Sequence, residues 1–108
     1  MSLPNYDPEK AVKWLIDHAE SDAKAKAERR YIEEFRKSLK AIIQKEHVGE
    51  SIAKREMEAY ADPRYLSHLK AIQVAIFEDE KAQHLTKAAE IKLEVWRTAE
   101  ATKRVLKV

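Results

Sequence analysis

Residues 47–65 read HVGESIAKREMEAYADPRY and contain most of the signals that divide the chain into helices. Gly49 is the only glycine of the chain and is suited to the C′ position that ends a helix. Ser51 is a good N-cap for a short helix over about residues 52–60. Asp62-Pro63 predicts a further start, because the aspartate can accept first-turn amide hydrogens and proline fits the first helical position.

The same start signal, Asp7-Pro8, occurs near the beginning of the chain. It predicts a first helix over about residues 8–47, and the absence of breakers after Pro63 predicts a last helix over about residues 63–103. Two helices of this length would each be roughly 60 Å long, well beyond the usual length in globular domains. We therefore expect an all-α fold with two long helices in an antiparallel, coiled-coil-like hairpin and a short connecting helix.

Length and composition exclude several protein classes. The 108 residues allow one domain, taken as residues 1–108, and a single glycine disfavours an all-β fold. The chain has no cysteine, which excludes disulfides, thiolate metal sites and a cysteine nucleophile. The sequence shows neither a membrane-spanning apolar run nor a signal-peptide pattern, so we expect a soluble, cytoplasmic protein without membrane partners.

Large apolar side chains change face along both long helices. In the first helix one face carries Tyr31, Ile32, Phe35, Leu39, Ile42 and Ile43. Residues 12–19 place their apolar side chains nearly opposite, so this helix either breaks near Ser21-Asp22 or presents its two ends to different neighbours. In the last helix a similar change occurs around residues 78–81.

Apolar stripes that change face need more than one covering surface, which favours a homo-oligomer over a self-contained three-helix monomer. Tryptophans in small helical proteins usually pack in cores or interfaces, although Trp14 and Trp96 could instead stack on bases. The expected interface residues are Trp14, Leu15, Phe35, Leu39, Ile72, Ile76, Val95 and Trp96.

Motifs for catalysis or metal binding are absent from the sequence. The four histidines lack the spacing of three or four that places two ligands on one helix face, and Glu80 with His84 would form only half a site. Adjacent carboxylates, as in residues 78–80, diverge by 100° on a helix and are expected to form a solvated face. We therefore predict no enzyme activity, no catalytic residues, no metal and no cofactor.

A cluster of basic residues is the most asymmetric feature of the charge distribution. Residues 24–45 contain eight Lys or Arg and three Glu, a net charge of +5. Most of these cations share an arc of about 120°, which could contact a phosphate backbone. The alternative is a solvated face of helix-surface ion pairs. The candidate nucleic-acid-binding residues, called the basic strip below, are Lys24, Lys26, Arg29, Arg30, Arg36, Lys37 and Lys40.

Residues 88–104, which contain an Ala-Glu-x-x-x-Glu-x-Trp-Arg pattern, follow a Tyr-x-x-Pro start at residues 60–63. This half of the chain resembles small helical proteins of phages and prophages. The layout, with Lys13-Trp14-Leu15 ahead of a basic helix and a second long helix, is similar to that of the UvsY-type phage recombination mediators. The resemblance implies an oligomer that binds single-stranded DNA and helps to load a recombinase.

The leading hypothesis is thus a non-enzymatic accessory protein of recombination or replication that binds single-stranded nucleic acid and acts with a recombinase or replication protein. The alternative is a structural or adaptor protein whose apolar faces recognise other helices, with the charged faces only solvating it.

Overall fold

The computed structural model describes residues 7–107, which form three helices. Helix α1 spans Pro8–Lys45, α2 spans Ile52–Ala61 and α3 spans Pro63–Leu106, and no strand occurs within residues 7–107. The two long helices lie against each other, and α2 connects them. Arg29 of α1 contacts Asp79 of α3, whereas the later Ile32 contacts the earlier His68, so the helices run antiparallel. The predicted all-α hairpin is confirmed.

The helix starts follow the capping signals in the sequence. Asp7 Oδ1 accepts a hydrogen bond from the Glu9 amide at 3.0 Å, and Asp62 Oδ1 accepts one from the Arg64 amide at 2.8 Å. Ser51 Oγ accepts the amide of Lys54 at 3.2 Å. These bonds satisfy first-turn donors that no helical carbonyl can reach.

Two predicted helix ends need correction. Helix α1 ends at Lys45, not at residue 47, and Gly49 therefore lies in the connecting turn and not at the C′ position of α1. The turn begins because the amides of Glu46 and His47 bond to carbonyls three residues earlier, which tightens the chain. Gly49 has a φ of 101°, a conformation for which glycine is suited. Helix α3 continues past residue 103 to Leu106.

The chain divides into two compact units, and each has its own contacts between α1 and α3. The unit of residues 24–79 contains the only three-helix core among the described residues, built from Ile43 of α1, Ala59 of α2 and Tyr65 of α3. Ile43 and Ala59 are fully buried, and Leu39 packs against the cluster. The Tyr65 ring also meets the edge of Tyr60 at 5.4 Å. Side chains from all three helices thus hold this unit together.

The other unit, described for residues 7–23 and 80–107, is built around small residues. Ala11 of α1 and Ala89 of α3 are buried, and small side chains let two helix backbones approach closely. Thr86 donates a hydrogen bond to Asp22 Oδ2 at 2.6 Å. Helix α1 continues through Ser21 and Asp22 without a break. Of the two alternatives for α1, the uninterrupted helix is therefore the observed one.

Candidate functional site

The apolar stripe predicted on α1 divides into two rows. Leu39 and Ile43 belong to the core of residues 24–79. Tyr31, Phe35 and Ile42 are exposed, by 65%, 36% and 49%. The division follows from helix geometry, because a partner on one side of α1 covers only part of a stripe about 120° wide. The outer row is only partly covered within the described part of this chain.

The exposed row, with the exposed Ser38 that lies between Phe35 and Ile42 on the same face, forms what we call the apolar seam: Tyr31, Phe35, Ser38 and Ile42. The rings of Tyr31 and Phe35 stack with centroids 6.0 Å apart, and Phe35 also contacts the His68 imidazole at 5.5 Å. His68 Nε2 bonds to the Ile32 carbonyl oxygen at 2.7 Å, which ties this ring to α1. Phe35 is therefore held on one side, while Tyr31 and Ile42 extend the row into solvent.

The other predicted interface residues are divided between covered and exposed positions. Ile72 is buried and Leu39 contributes to the core, so contacts within the chain already cover both. Trp14, Leu15 and Ile76 are partly buried. Val95 and Trp96 are exposed, by 43% and 38%.

In the unit of residues 7–23 and 80–107, an open groove is lined by Pro8, Val12 and Ile16 of α1 and by Leu93 and Trp96 of α3. Trp14 lies in a different groove and stacks on His18 with a centroid distance of 4.0 Å, so one face of its indole is covered. The two tryptophans therefore line separate surfaces.

Two cations of the basic strip are engaged by other helices. Arg29 Nη1 donates to Asp79 Oδ2 of α3 at 3.1 Å. Lys40 Nζ donates to Glu56 of α2 at 3.2 Å and to the Tyr60 hydroxyl at 2.7 Å. The hydrogen bonds with Tyr60 and then Glu56 raise the pKa of Lys40 above its ordinary value. In this arrangement, Arg29 and Lys40 stabilise contacts between helices.

The remaining strip residues are exposed on α1. Lys37 pairs with Glu34 at 3.3 Å, a helix-surface ion pair of the kind that keeps a face solvated. Lys26, Arg30 and Arg36 form no ion pair with any residue of the range 7–107. The structure therefore brings fewer cations to one accessible face than the seven of the predicted strip.

The connecting turn carries a compact ion cluster around Arg64. Arg64 Nη1 donates to Glu46 Oε1 at 3.0 Å, and Arg64 Nη2 donates to Asp62 Oδ2 at 3.0 Å. These hydrogen bonds lower the pKa of both carboxyls and raise the pKa of the guanidinium. The cluster joins the end of α1 to the start of α3, and its geometry is that of a structural contact.

The other acidic and histidine side chains are scattered over the described residues. Asp79, expected on a solvated face, is only 3% exposed, because α3 turns it toward Arg29; that expectation was wrong. Within residues 7–107 no three His, Asp or Glu side chains gather closely enough to hold a metal ion. No helix in this range combines the length and apolar character that crossing a bilayer requires. The candidate surfaces are therefore the apolar seam, the groove lined by Val12, Ile16 and Trp96, and the exposed cations Lys26, Arg30 and Arg36.

No protein-family model matches the sequence, and no significant similarity to a curated protein or to a solved structure was found. The likeness to phage recombination mediators therefore stays a prediction from the sequence.

Sequence reasoning did not separate the seam from the core, since all six stripe residues share one face of an ideal helix. Spacing alone does not separate them: residues 31, 35, 38 and 42 follow the a/d intervals of a coiled coil, and so do residues 32, 35, 39 and 42.

Proposed function

We propose that this chain is a non-catalytic interaction protein that self-associates through the apolar seam. The exposure of Tyr31, Phe35 and Ile42 in one row carries this proposal, since neighbouring side chains of the same helix are covered. Single exposed apolar residues are common, but a row of them on one helix face that includes two stacked rings is typical of a binding surface. Aromatic side chains are also enriched where interfaces derive most of their energy.

The direct test compares the solution mass of the wild-type chain with that of Tyr31→Ala/Ile42→Ala by light scattering on a sizing column. We expect the wild-type mass to rise with concentration in the micromolar range and the double variant to stay monomeric. Both substitutions remove exposed side chains and favour helix, so the fold should be kept. Circular dichroism checks that point.

The control is Val48→Ala, which removes an apolar side chain that is 77% exposed in the turn after α1. It should associate as the wild type does. A wild-type chain that is monomeric at every concentration would refute the proposal, as would equal loss of association in the control.

A second candidate function is binding of single-stranded nucleic acid. Lys26 and Arg30 are exposed one turn apart on α1, and Arg36 extends the cationic surface. Each phosphate contact on a single strand should reduce log affinity by about 0.7 per log unit of salt, so three contacts predict a slope of about 2. An accessory role in recombination or replication would use this surface.

Fluorescence anisotropy with a labelled single-stranded oligonucleotide tests this candidate. The triple variant Lys26→Glu/Arg30→Glu/Arg36→Glu should lose binding. Its control, Lys70→Glu/Lys81→Glu/Lys87→Glu, makes the same change in net charge at exposed positions of α3. Equal losses in the two variants would show that net charge alone matters and would contradict a defined surface.

A further inference from the structure

We infer that the partner of the apolar seam is a second copy of this chain, with the two α1 helices antiparallel about a two-fold axis near Arg36 and Lys37. This inference rests on the proposed self-association and adds its register and polarity.

The a/d spacing of the seam continues beyond its apolar residues. Three residues before Tyr31 it reaches Glu28, and three residues after Ile42 it reaches Lys45. Both side chains are exposed. The seam therefore has a negative charge at one end and a positive charge at the other.

Antiparallel pairing makes these charges complementary. When Glu28 faces Lys45 of the second copy, the same register places Tyr31 against Ile42 and Phe35 against Ser38 of that copy. The two-fold axis repeats each of these pairs, as expected for an isologous dimer. The large Phe35 ring then meets the small Ser38, which is how facing positions fill the space between helices.

Parallel pairing would place identical residues opposite one another. Glu28 would face glutamate and Lys45 would face lysine, and like charges at such positions are destabilising. Two Phe35 rings would compete for one layer, while two Ser38 side chains would leave the next layer underfilled. The sequence of the seam thus favours the antiparallel arrangement on charge and on volume.

The antiparallel pair also leaves the free cations accessible. Lys26 and Arg30 lie about 110° or more around the helix from the centre of the seam, so the contact does not cover them. Nucleic-acid binding and self-association therefore use different faces of α1.

Cysteine cross-linking reads out the polarity, because the chain has no cysteine of its own. In the antiparallel pair, Glu28 lies beside Lys45 of the second copy but about 26 Å along the axis from the other Glu28, at 1.5 Å per residue. A disulfide needs Cα atoms within roughly 7 Å. Mild oxidation of a mixture of Glu28→Cys and Lys45→Cys chains should therefore give the mixed dimer, and Glu28→Cys alone should stay uncoupled. Efficient coupling of Glu28→Cys with itself would overturn the inference in favour of a parallel pair.

Charge reversal provides a second readout without oxidation. Glu28→Lys or Lys45→Glu alone should weaken self-association about tenfold, since the two-fold axis disrupts two exposed pairs at once. The double variant Glu28→Lys/Lys45→Glu should recover wild-type affinity. Dimerisation that neither variant changes would overturn the register and leave the proposed function intact, whereas a monomeric wild type would refute both.

Discussion

Replacing Ile43 by alanine should destabilise the fold by about 3 kcal/mol. Ile43 is fully buried where α1, α2 and α3 meet. Removing about three carbon atoms loses roughly 2.4 kcal/mol of transfer free energy, and the cavity that remains adds to this loss. For a chain of this size such a change should lower the Tm by about 12–24 °C.

The neighbouring residue supplies the control. Ile42→Ala is the same chemical change one position earlier in the same helix, but Ile42 is 49% exposed. Its effect on the free energy of unfolding should stay within about 0.5 kcal/mol, as is usual for surface substitutions. Urea unfolding followed by circular dichroism, at a low concentration where self-association is negligible, measures both variants.

The comparison can fail in two ways. A loss below about 1 kcal/mol for Ile43→Ala would mean that the three-helix core does not stabilise the chain. An equal loss for both variants would mean that Ile42 is covered within the monomer, which would remove the basis of the apolar seam.

Three further perturbations test the turn region. Arg64 lowers the pKa of Glu46 and Asp62, so these carboxylates stabilise the fold above their unfolded-state pKa values and lose this contribution as acid protonates them. Because Arg64→Gln removes this contribution, the free energy of unfolding of the variant should fall less steeply than that of the wild type below pH 4.5. Parallel curves of stability against pH, measured by urea unfolding, would contradict this prediction. Gly49→Ala should lower the free energy of unfolding, measured with urea, by about 1–2 kcal/mol, because Gly49 has a φ of 101°. A smaller loss for Gly49→Asn would support that cause, and a loss near zero for Gly49→Ala would rule it out. Ser51→Ala should cost about 1 kcal/mol in the same assay by removing the N-cap of α2, and unchanged stability would show that the cap contributes nothing.

The helices could be predicted from the sequence because their start signals are local. Asp7, Ser51 and Asp62 act on amides two or three residues away, and each cap is present in the structure. The end of α1 could not be predicted to the residue, because its last turn tightens through short-range hydrogen bonds that no single residue type specifies.

The surfaces could be predicted only in part, because they depend on contacts between distant residues. Arg29 and Asp79 are 50 positions apart, and their pairing both buries a carboxylate and withdraws a cation from the basic strip. Lys40 contacts Tyr60 across 20 positions for the same kind of reason. A helical wheel gives the direction of a side chain, but it does not show which neighbouring helix contacts that side chain.

Sedimentation equilibrium of the wild-type chain tests the central claim most directly, since that claim is that the exposed row on α1 is covered by a second copy. Between about 1 and 200 μM the apparent mass should rise from the monomer value of 12.5 kDa toward twice that value. The rise should disappear in Tyr31→Ala/Ile42→Ala. A constant mass of 12.5 kDa over the whole range would contradict the account.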